Sequence, residues 1–306
     1  MNCELTIQRA RQPNSQFSIL NFQFSIKNDM NIQFYKFDGA GNDFVLIDAR
    51  EHDPQLSTEA IARMCHRRFG VGADGLMLLK SGEEGYDFVM KYYNSDGRTA
   101  SMCGNGGRCI AVFAYLLGLG TREPSMPQNG QGAERTLFRF RADDGPHDAE
   151  IVAWDKASGK GIVKLGMRDV RTDEVRRVLD GWLLNTGVPH YVQRVEDLER
   201  FDVVGEGRRI RHLAELGAEG ANVNFVEDMP DSRLRVRTYE RGVEDETWAC
   251  GTGVTACSIV SGNHRILTRG GDFNVDFTPT DQYYKDVKLT GPVSFNFKGE
   301  VELIEN

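Results

Sequence analysis

Two stretches of this chain carry the same four-residue pattern: Cys103-Gly104-Asn105-Gly106 and Cys250-Gly251-Thr252-Gly253. In each, a thiol stands just before residues suited to the first turn of a helix. Glycines there permit a tight turn and leave backbone N–H groups accessible. The first turn of a helix has unpaired N–H donors and the positive end of the macrodipole. A cysteine so placed is expected to have a lowered pKa and to hold a thiolate. The same amides can grip a carboxylate. One turn thus offers a base and an anion site together.

A pair of such turns extends the chemistry. Inverting a stereocentre by proton transfer needs one group to remove a proton from one face and another to deliver a proton to the opposite face. Two thiols, one ionised and one protonated, suit this and work equally in both directions. The α-proton of an amino acid is weakly acidic, and two helix N-termini converging on the α-carboxylate would stabilise the developing charge. No pyridoxal, metal or other cofactor is then obligatory. Neither turn ends in the G-K-[ST] of a phosphate-binding loop. Cys65, Cys109 and Cys257 read instead as small core hydrophobes.

These turns need elements to position them. After Cys103, residues Ile110, Phe113, Ala114 and Leu117 fall at helical spacing, and Gly118 ends the run. After Cys250, Val254, Ala256, Cys257, Ile259 and Val260 cover nearly every face, which predicts a buried helix. A third helix is expected over about Thr58 to Arg68, capped by Ser57. Most other segments read as short strands, among them Phe44 to Asp48, Phe88 to Tyr93, Asn222 to Glu227 and Val287 to Phe297. Thr121 to Glu134 reads as a loop and Asp143 to His147 as a turn near a lobe boundary. The two cysteine turns lie about half the chain apart, as a duplicated lobe would place them.

Composition narrows the class. A net charge of -8 argues against a nucleic-acid surface, and no apolar run approaches a membrane span. Six cysteines without C-x-x-C or H-E-x-x-H patterns fit a reduced, cytoplasmic enzyme with no metal site. Met1 to Asp29, rich in Asn, Gln and Ser, opens no periodic element and lacks the parts of a signal peptide. It is expected to be a poorly ordered extension or to lie upstream of the true start, with an edge strand over Phe17 to Ile26 as the alternative.

The chain resembles the diaminopimelate epimerase family in several separated segments. They are Phe37-Asp38-Gly39-Ala40-Gly41-Asn42-Asp43-Phe44, Arg68-Phe69-Gly70-Val71-Gly72-Ala73-Asp74-Gly75 and Tyr93-Asn94-Ser95-Asp96-Gly97 with the turn at Cys103. Gly187-Val188-Pro189-His190, Ala221-Asn222-Val223-Asn224-Phe225 and Tyr239-Glu240-Arg241-Gly242 running into the turn at Cys250 complete them. The resemblance spans roughly residues 30 to 306. It implies an α+β fold of two similar lobes, each a mixed β-sheet wrapped around a central helix, with the active site in the interlobe cleft. The lobes would be 30–146 plus 290–306 and 147–289, with 1–29 outside them.

The family resemblance further implies that Cys103 and Cys250 interconvert LL- and meso-diaminopimelate, in lysine and peptidoglycan precursor biosynthesis. Gly104, Asn105, Gly251 and Thr252 would offer backbone N–H groups to the α-carboxylate. Asn42, Asn94, Asn222 and Arg241 would grip polar ends of the substrate, and Glu240 would receive an ammonium group. His190 either tunes a cysteine or is a structural histidine held by a carboxylate such as Glu240. Partners beyond this small molecule are not implied, although a homodimer is compatible with the sequence. Two positions depart from the family: Gly75 where many relatives carry Gln, and Val188 where many carry Asn. The alternatives are a proline or hydroxyproline racemase of the same fold, and a non-catalytic amino-acid-binding protein.

Overall fold

The computed structural model describes residues 29–100, 102–124 and 134–304. All but the last residue of the expected N-terminal extension, and most of the loop expected over Thr121 to Glu134, lie outside the described residues. The chain first forms β1 (Asp29–Gly39), β2 (Asn42–Asp48), α1 (Thr58–Cys65), β3 (Gly75–Ser81), β4 (Phe88–Asn94) and α2 (Gly104–Leu116). These are followed by β5 (Thr121–Pro124), β6 (Glu134–Ala142), β7 (Gly145–Asp155) and β8 (Lys160–Gly166). A second series comprises β9 (Val170–Arg171), β10 (Arg176–Val178), β11 (Gly181–Asn185), β12 (Pro189–Arg194), α3 (Val203–Arg211) and β13 (Asn222–Asp228). It ends with β14 (Leu234–Glu240), β15 (Asp245–Thr247), α4 (Gly251–Ser261), β16 (Arg265–Thr268), β17 (Gly271–Pro279) and β18 (Tyr283–Ile304).

The two series share one connectivity. In the first, β2 is parallel to β3, β3 antiparallel to β4, and β4 parallel to β6. In the second, β12 is parallel to β13, β13 antiparallel to β14, and β14 parallel to β16. Parallel neighbours need a long crossover, and α2 and α4 supply it at the equivalent place in each series. The duplication suggested by the two cysteine turns is therefore a repeat of topology, and the fold is the expected pair of α+β lobes.

Each crossover helix sits inside its sheet because it is apolar on every side. Around α2, Ile110 and Phe113 pack with Phe37, Phe88, Phe140 and Leu165. Around α4, Val254 and Ile259 pack with Val236, Ile266, Val275 and Leu289. The amphipathic helices take the outer faces: α1 buries Ile61 and Met64 against Val45 and Leu76, and α3 buries Val203 and Ile210 against Val223 and Phe225.

The strands around α2 close into a ring, in the order β1, β2, β3, β4, β6, β7, β8, β18 and back to β1. The last strand, β18, changes partners near Gly291: before it pairs with β17, and after it lies between β8 and β1. The division expected at 146/147 falls inside β7. Because β7 and β8 bring Ala149, Ile151, Val163 and Leu165 onto α2, the first core continues to Leu165, and Met167 touches both cores.

The first helix is shorter than its pattern suggests. Ser57 caps it by accepting the N–H of Ala60 at 3.1 Å, but it ends at Cys65. The His66 ring nitrogen accepts the N–H groups of Arg68 and Phe69, drawing the chain out of the helix.

Candidate active site

Both cysteines are N-caps in extended backbone conformation, Cys103 at φ -90° ψ 131° on α2 and Cys250 at φ -112° ψ 111° on α4. Their carbonyls accept the first helical bonds, from Gly107 at 2.7 Å and Val254 at 2.8 Å. This leaves the intervening amides outside the helical ladder. Those of Asn105 and Gly106 are directed at the Cys103 sulfur, and that of Gly253 at the Cys250 sulfur. The two helix ends meet where the lobes face each other: a Cβ added to Gly104 would lie 3.7 Å from the Gly251 Cα. Two positive helix ends thus oppose each other, an arrangement that favours an anion between them.

The thiols differ from expectation in one respect. A helix N-terminus should lower a cysteine pKa, but burial pushes both Cys103 and Cys250 up. The carboxylate of Glu240 acts in the same direction on both, while the amides aimed at each sulfur oppose it only in part. Loss of water outweighs the helix end because a low-dielectric interior disfavours the charged thiolate.

The two caps are tied together. Asn105, 1% exposed, donates from Nδ2 to the Ala249 carbonyl at 2.8 Å and to Asn42 Oδ1 at 2.5 Å. Its Oδ1 accepts from Arg108 Nη2 at 3.0 Å. Asn42 also donates to Asp74 Oδ2 at 3.1 Å. The expectation that Asn42 grips substrate therefore meets a side chain with both ends already engaged, and Asn105, expected to offer its backbone, is bonded through its side chain.

On the other side of Cys250, Thr252 Oγ1 lies 3.4 Å from the sulfur and 2.8 Å from His190 Nε2. Of the two readings expected for His190, the one held by a carboxylate finds none among the described residues; Asn224 Nδ2 takes that place, 3.1 Å from Nδ1. The Asn224 amide cannot be reversed, because Nδ2 also donates to the Tyr191 carbonyl at 3.0 Å and Oδ1 accepts from Thr238 at 2.9 Å. Nδ1 is thus an acceptor, and the neutral ring carries its hydrogen on Nε2. Burial keeps it neutral, pulling its pKa down to about 3. His190 Nε2–H then donates to Thr252, whose own hydrogen is left for the Cys250 sulfur.

The remaining predicted residues gather unequally. Asn222 is buried and accepts the Arg241 N–H at 2.7 Å through Oδ1. Arg241 is partly buried and reaches the Glu219 carbonyl at 3.4 Å. Glu240 is partly buried at the end of β14, and its carboxyl is raised by burial. Asn94 ends β4 exposed, opposite Gly75. At Gly75 the room a side chain would need is filled by Tyr92, whose ring would lie 2.6 Å from an added Cβ. Val188 accepts the Thr186 N–H at 3.4 Å, and Thr186 Oγ1 in turn donates to the Thr252 carbonyl at 2.8 Å. Sequence reasoning missed Arg108, Asn224 and Tyr92; a lone Arg in an apolar helix and a second Asn in an apolar strand were the available signals.

Among the described residues no group of three or more His, Cys, Asp or Glu side chains is arranged to hold a metal ion, and no helix is long and apolar enough to cross a membrane. The family described as Diaminopimelate epimerase matches residues 34–148 and 182–288. The chain is 40% identical over 277 residues to the diaminopimelate epimerase of Flavobacterium psychrophilum, covering 87% of this chain and 99% of that one. It is 38% identical over 293 residues to that of Aquifex aeolicus, covering 88% and 98%. Among solved structures, a probable proline racemase from Agrobacterium radiobacter superposes with a TM-score of 0.64 at 15% identity, covering 89% of this chain and 93% of the other. A hydroxyproline epimerase from Agrobacterium vitis gives 0.62 at 15% identity, covering 92% and 95%. At such identity these two likenesses speak for the fold alone.

Proposed function

This chain belongs to the diaminopimelate epimerase family, and on that footing we propose that Cys103 and Cys250 are the paired acid/base groups that invert an α-carbon of diaminopimelate. The protein is an isomerase, an amino-acid epimerase acting on a small molecule. The LL- and meso-forms are the pair we assign to it. The observation that carries the reading is the opposition of two cysteine-capped helix ends across the cleft.

One cysteine as thiolate takes the α-proton, and the other as thiol delivers a proton to the opposite face. The roles are then exchanged for the reverse reaction. The α-carboxylate lies between the helix ends, on amides drawn from Gly104, Asn105, Gly251 and Thr252, so charge developing there meets two dipoles already in place. Burial that raises both thiols makes either thiolate, once formed, a stronger base toward a weakly acidic carbon. Glu240 suits an ammonium group, and Arg241 with Asn222 suits the distal carboxylate. We keep Asn42 and Asn94 among the residues assigned to the substrate's polar ends, Asn42 through the partners it shares with Asn105 and Asp74.

The test is incubation with LL-diaminopimelate in D2O, with reductant and without added pyridoxal phosphate or metal. Meso product with deuterium at the α-carbon, lost in both Cys103→Ala and Cys250→Ala, is expected. Full turnover in either variant would overturn the two-cysteine assignment, and turnover of proline instead would move the substrate. Five described cysteines are free thiols, which supports a cytoplasmic location. Sedimentation of the purified protein would distinguish the homodimer we include in this reading from a monomer.

A further inference from the structure

Arg108 is the largest fully buried side chain among the described residues, at 0% exposure. Every oxygen it meets is neutral. Nη1 donates to the Gly104 carbonyl at 3.2 Å and Nη2 to Asn105 Oδ1 at 3.0 Å. Nη2 also reaches the Gly39 carbonyl at 3.5 Å, Nε the Pro292 carbonyl at 3.3 Å, and the guanidinium lies 5.0 Å from the centre of the Phe273 ring. Among the described residues no carboxylate pairs with it, whereas the half-buried Arg237 is met by Glu246 at 2.6 Å. The charge persists: burial pulls its pKa down only to about 10.

Burying an unpaired cation costs stability; neutral oxygens and the Phe273 ring offset part of that cost and leave the charge of Arg108 uncancelled. The bonds to residues three and four back fold Arg108 onto the first turn of α2, where its charge is felt by Cys109 and by Cys103. The repeat supplies an internal comparison. The fifth residue after Cys250 is Thr255, also 0% exposed, whose hydroxyl donates to the Gly251 carbonyl at 3.0 Å. The same place in the second lobe thus holds a neutral hydroxyl serving the equivalent carbonyl.

We propose that Arg108 is a positioning residue that acts as the fixed counter-charge of Cys103, stabilising a thiolate there and making the two cysteines unequal, so that Cys103 ionises first. This rests on the two-cysteine reading above. Arg108 touches no substrate; its field and its hold on Asn105 act through Cys103. The other ionisable groups felt by Cys103 are Glu240 from β14, Tyr92 from β4, and Cys109 and Cys250. Glu240 opposes Arg108 and raises both thiols, and at Cys250 the Thr252 hydroxyl, 3.4 Å from the sulfur, works against it.

The test follows alkylation by iodoacetamide across a pH series, with modified residues located by peptide mass spectrometry. It compares Cys250→Ala, which leaves Cys103, with Cys103→Ala, which leaves Cys250. The midpoint for Cys103 is expected below that for Cys250 by about 1 pH unit or more, the size of a nearby opposite charge. In the Cys250→Ala protein, Arg108→Gln should raise the Cys103 midpoint by a similar amount, and Arg108→Lys should restore most of it. A Cys103 midpoint at or above that of Cys250 would overturn the proposal, as would one unmoved by Arg108→Gln in a folded protein. If Arg108→Gln does not fold, the first comparison, made with Arg108 intact, still decides. Turnover retained in either cysteine variant would sink the catalytic reading instead, a result these midpoints do not depend on.

Discussion

Asn105, in the first turn of α2, donates a 2.8 Å hydrogen bond to the carbonyl of Ala249, the residue immediately before Cys250. One lobe thereby holds the peptide that aims the other lobe's cysteine. Two acid/base groups on opposite faces of one carbon must keep their separation, and this bond ties together the lobes that carry them.

Replacing Asn105 by Leu removes three hydrogen bonds and leaves the Ala249 carbonyl, Asn42 Oδ1 and an Arg108 N–H without it. The expected outcome is a stability loss of about 2 kcal/mol from the buried groups left unpaired. A fall in kcat/KM of about 100-fold should accompany it as the two caps lose register. Thermal unfolding and steady-state kinetics read the two effects separately. A folded variant with undiminished kcat/KM would show that the caps keep their spacing without the strap.

Asn224→Asp exchanges a donor for an acceptor at His190 Nδ1 with little change of shape. The ring hydrogen should move to Nδ1, and Nε2 should then accept from Thr252, taking the hydroxyl hydrogen from Cys250. We expect kcat to fall about 10-fold or more, within the span of a general acid–base contribution, with KM little changed. Nitrogen chemical shifts of the labelled imidazole would report the tautomer directly, and an unchanged Nε2–H form would refute this account of the relay.

Sequence and structure agree where local rules operate alone. The Cys-Gly-x-Gly turns, the apolar α2 and α4 and the Ser57 cap were legible because caps and periodicity are properties of a few adjacent residues. The helix α3 went unread because Gly205, Gly207 and three arginines mask its one apolar face of Val203 and Ile210. The strand β5 went unread because its Pro-containing sequence lies beside a Gly- and Gln-rich run. At the site, contacts across lobes could not be seen: nothing adjacent to Arg108 or Asn224 announces Pro292 or His190 as its neighbour. The expectation of acidic thiols failed because depth of burial is a property of the whole fold.

Gly75 permits Tyr92 to lie where a side chain would stand. An added Cβ would come within 2.6 Å of both the Tyr92 ring and the Tyr93 carbonyl. Gly75→Ala is therefore expected to cost about 1–3 kcal/mol. Adding Tyr92→Ala should recover only part of this, since the backbone carbonyl remains. Urea unfolding of the two single variants and the double variant forms a cycle. Strictly additive losses would show that the ring and the added methyl do not compete.

The buried, neutral His190 makes stability depend on pH. Its pKa is near 3 folded against 6.5 for the ordinary side chain, so between these values the unfolded chain binds the extra proton. The contribution is complete above about pH 6.5 and is lost as the pH falls toward 3, with a slope approaching about 1.4 kcal/mol per pH unit. His190→Gln should flatten the acid limb of denaturant-derived stability over that range. An equally steep limb between about pH 4 and 6.5 in the variant would show that His190 is not its source; Asp43, which Arg67 and Lys36 hold down to about 2 against 3.8 for the ordinary side chain, acts only below that range.

The path of β18 has a consequence for biogenesis. The ring around α2 is completed by residues 291–304, so a lobe begun before the second one closes with residues made after it. While the ribosome is still translating, β1 and β8 each present a free edge, and such edges invite wrong partners. Truncation within the final strand would therefore injure the lobe farthest from it in sequence. The second lobe would meanwhile keep α4 enclosed, separating the maturation of Cys103 from that of Cys250 in time.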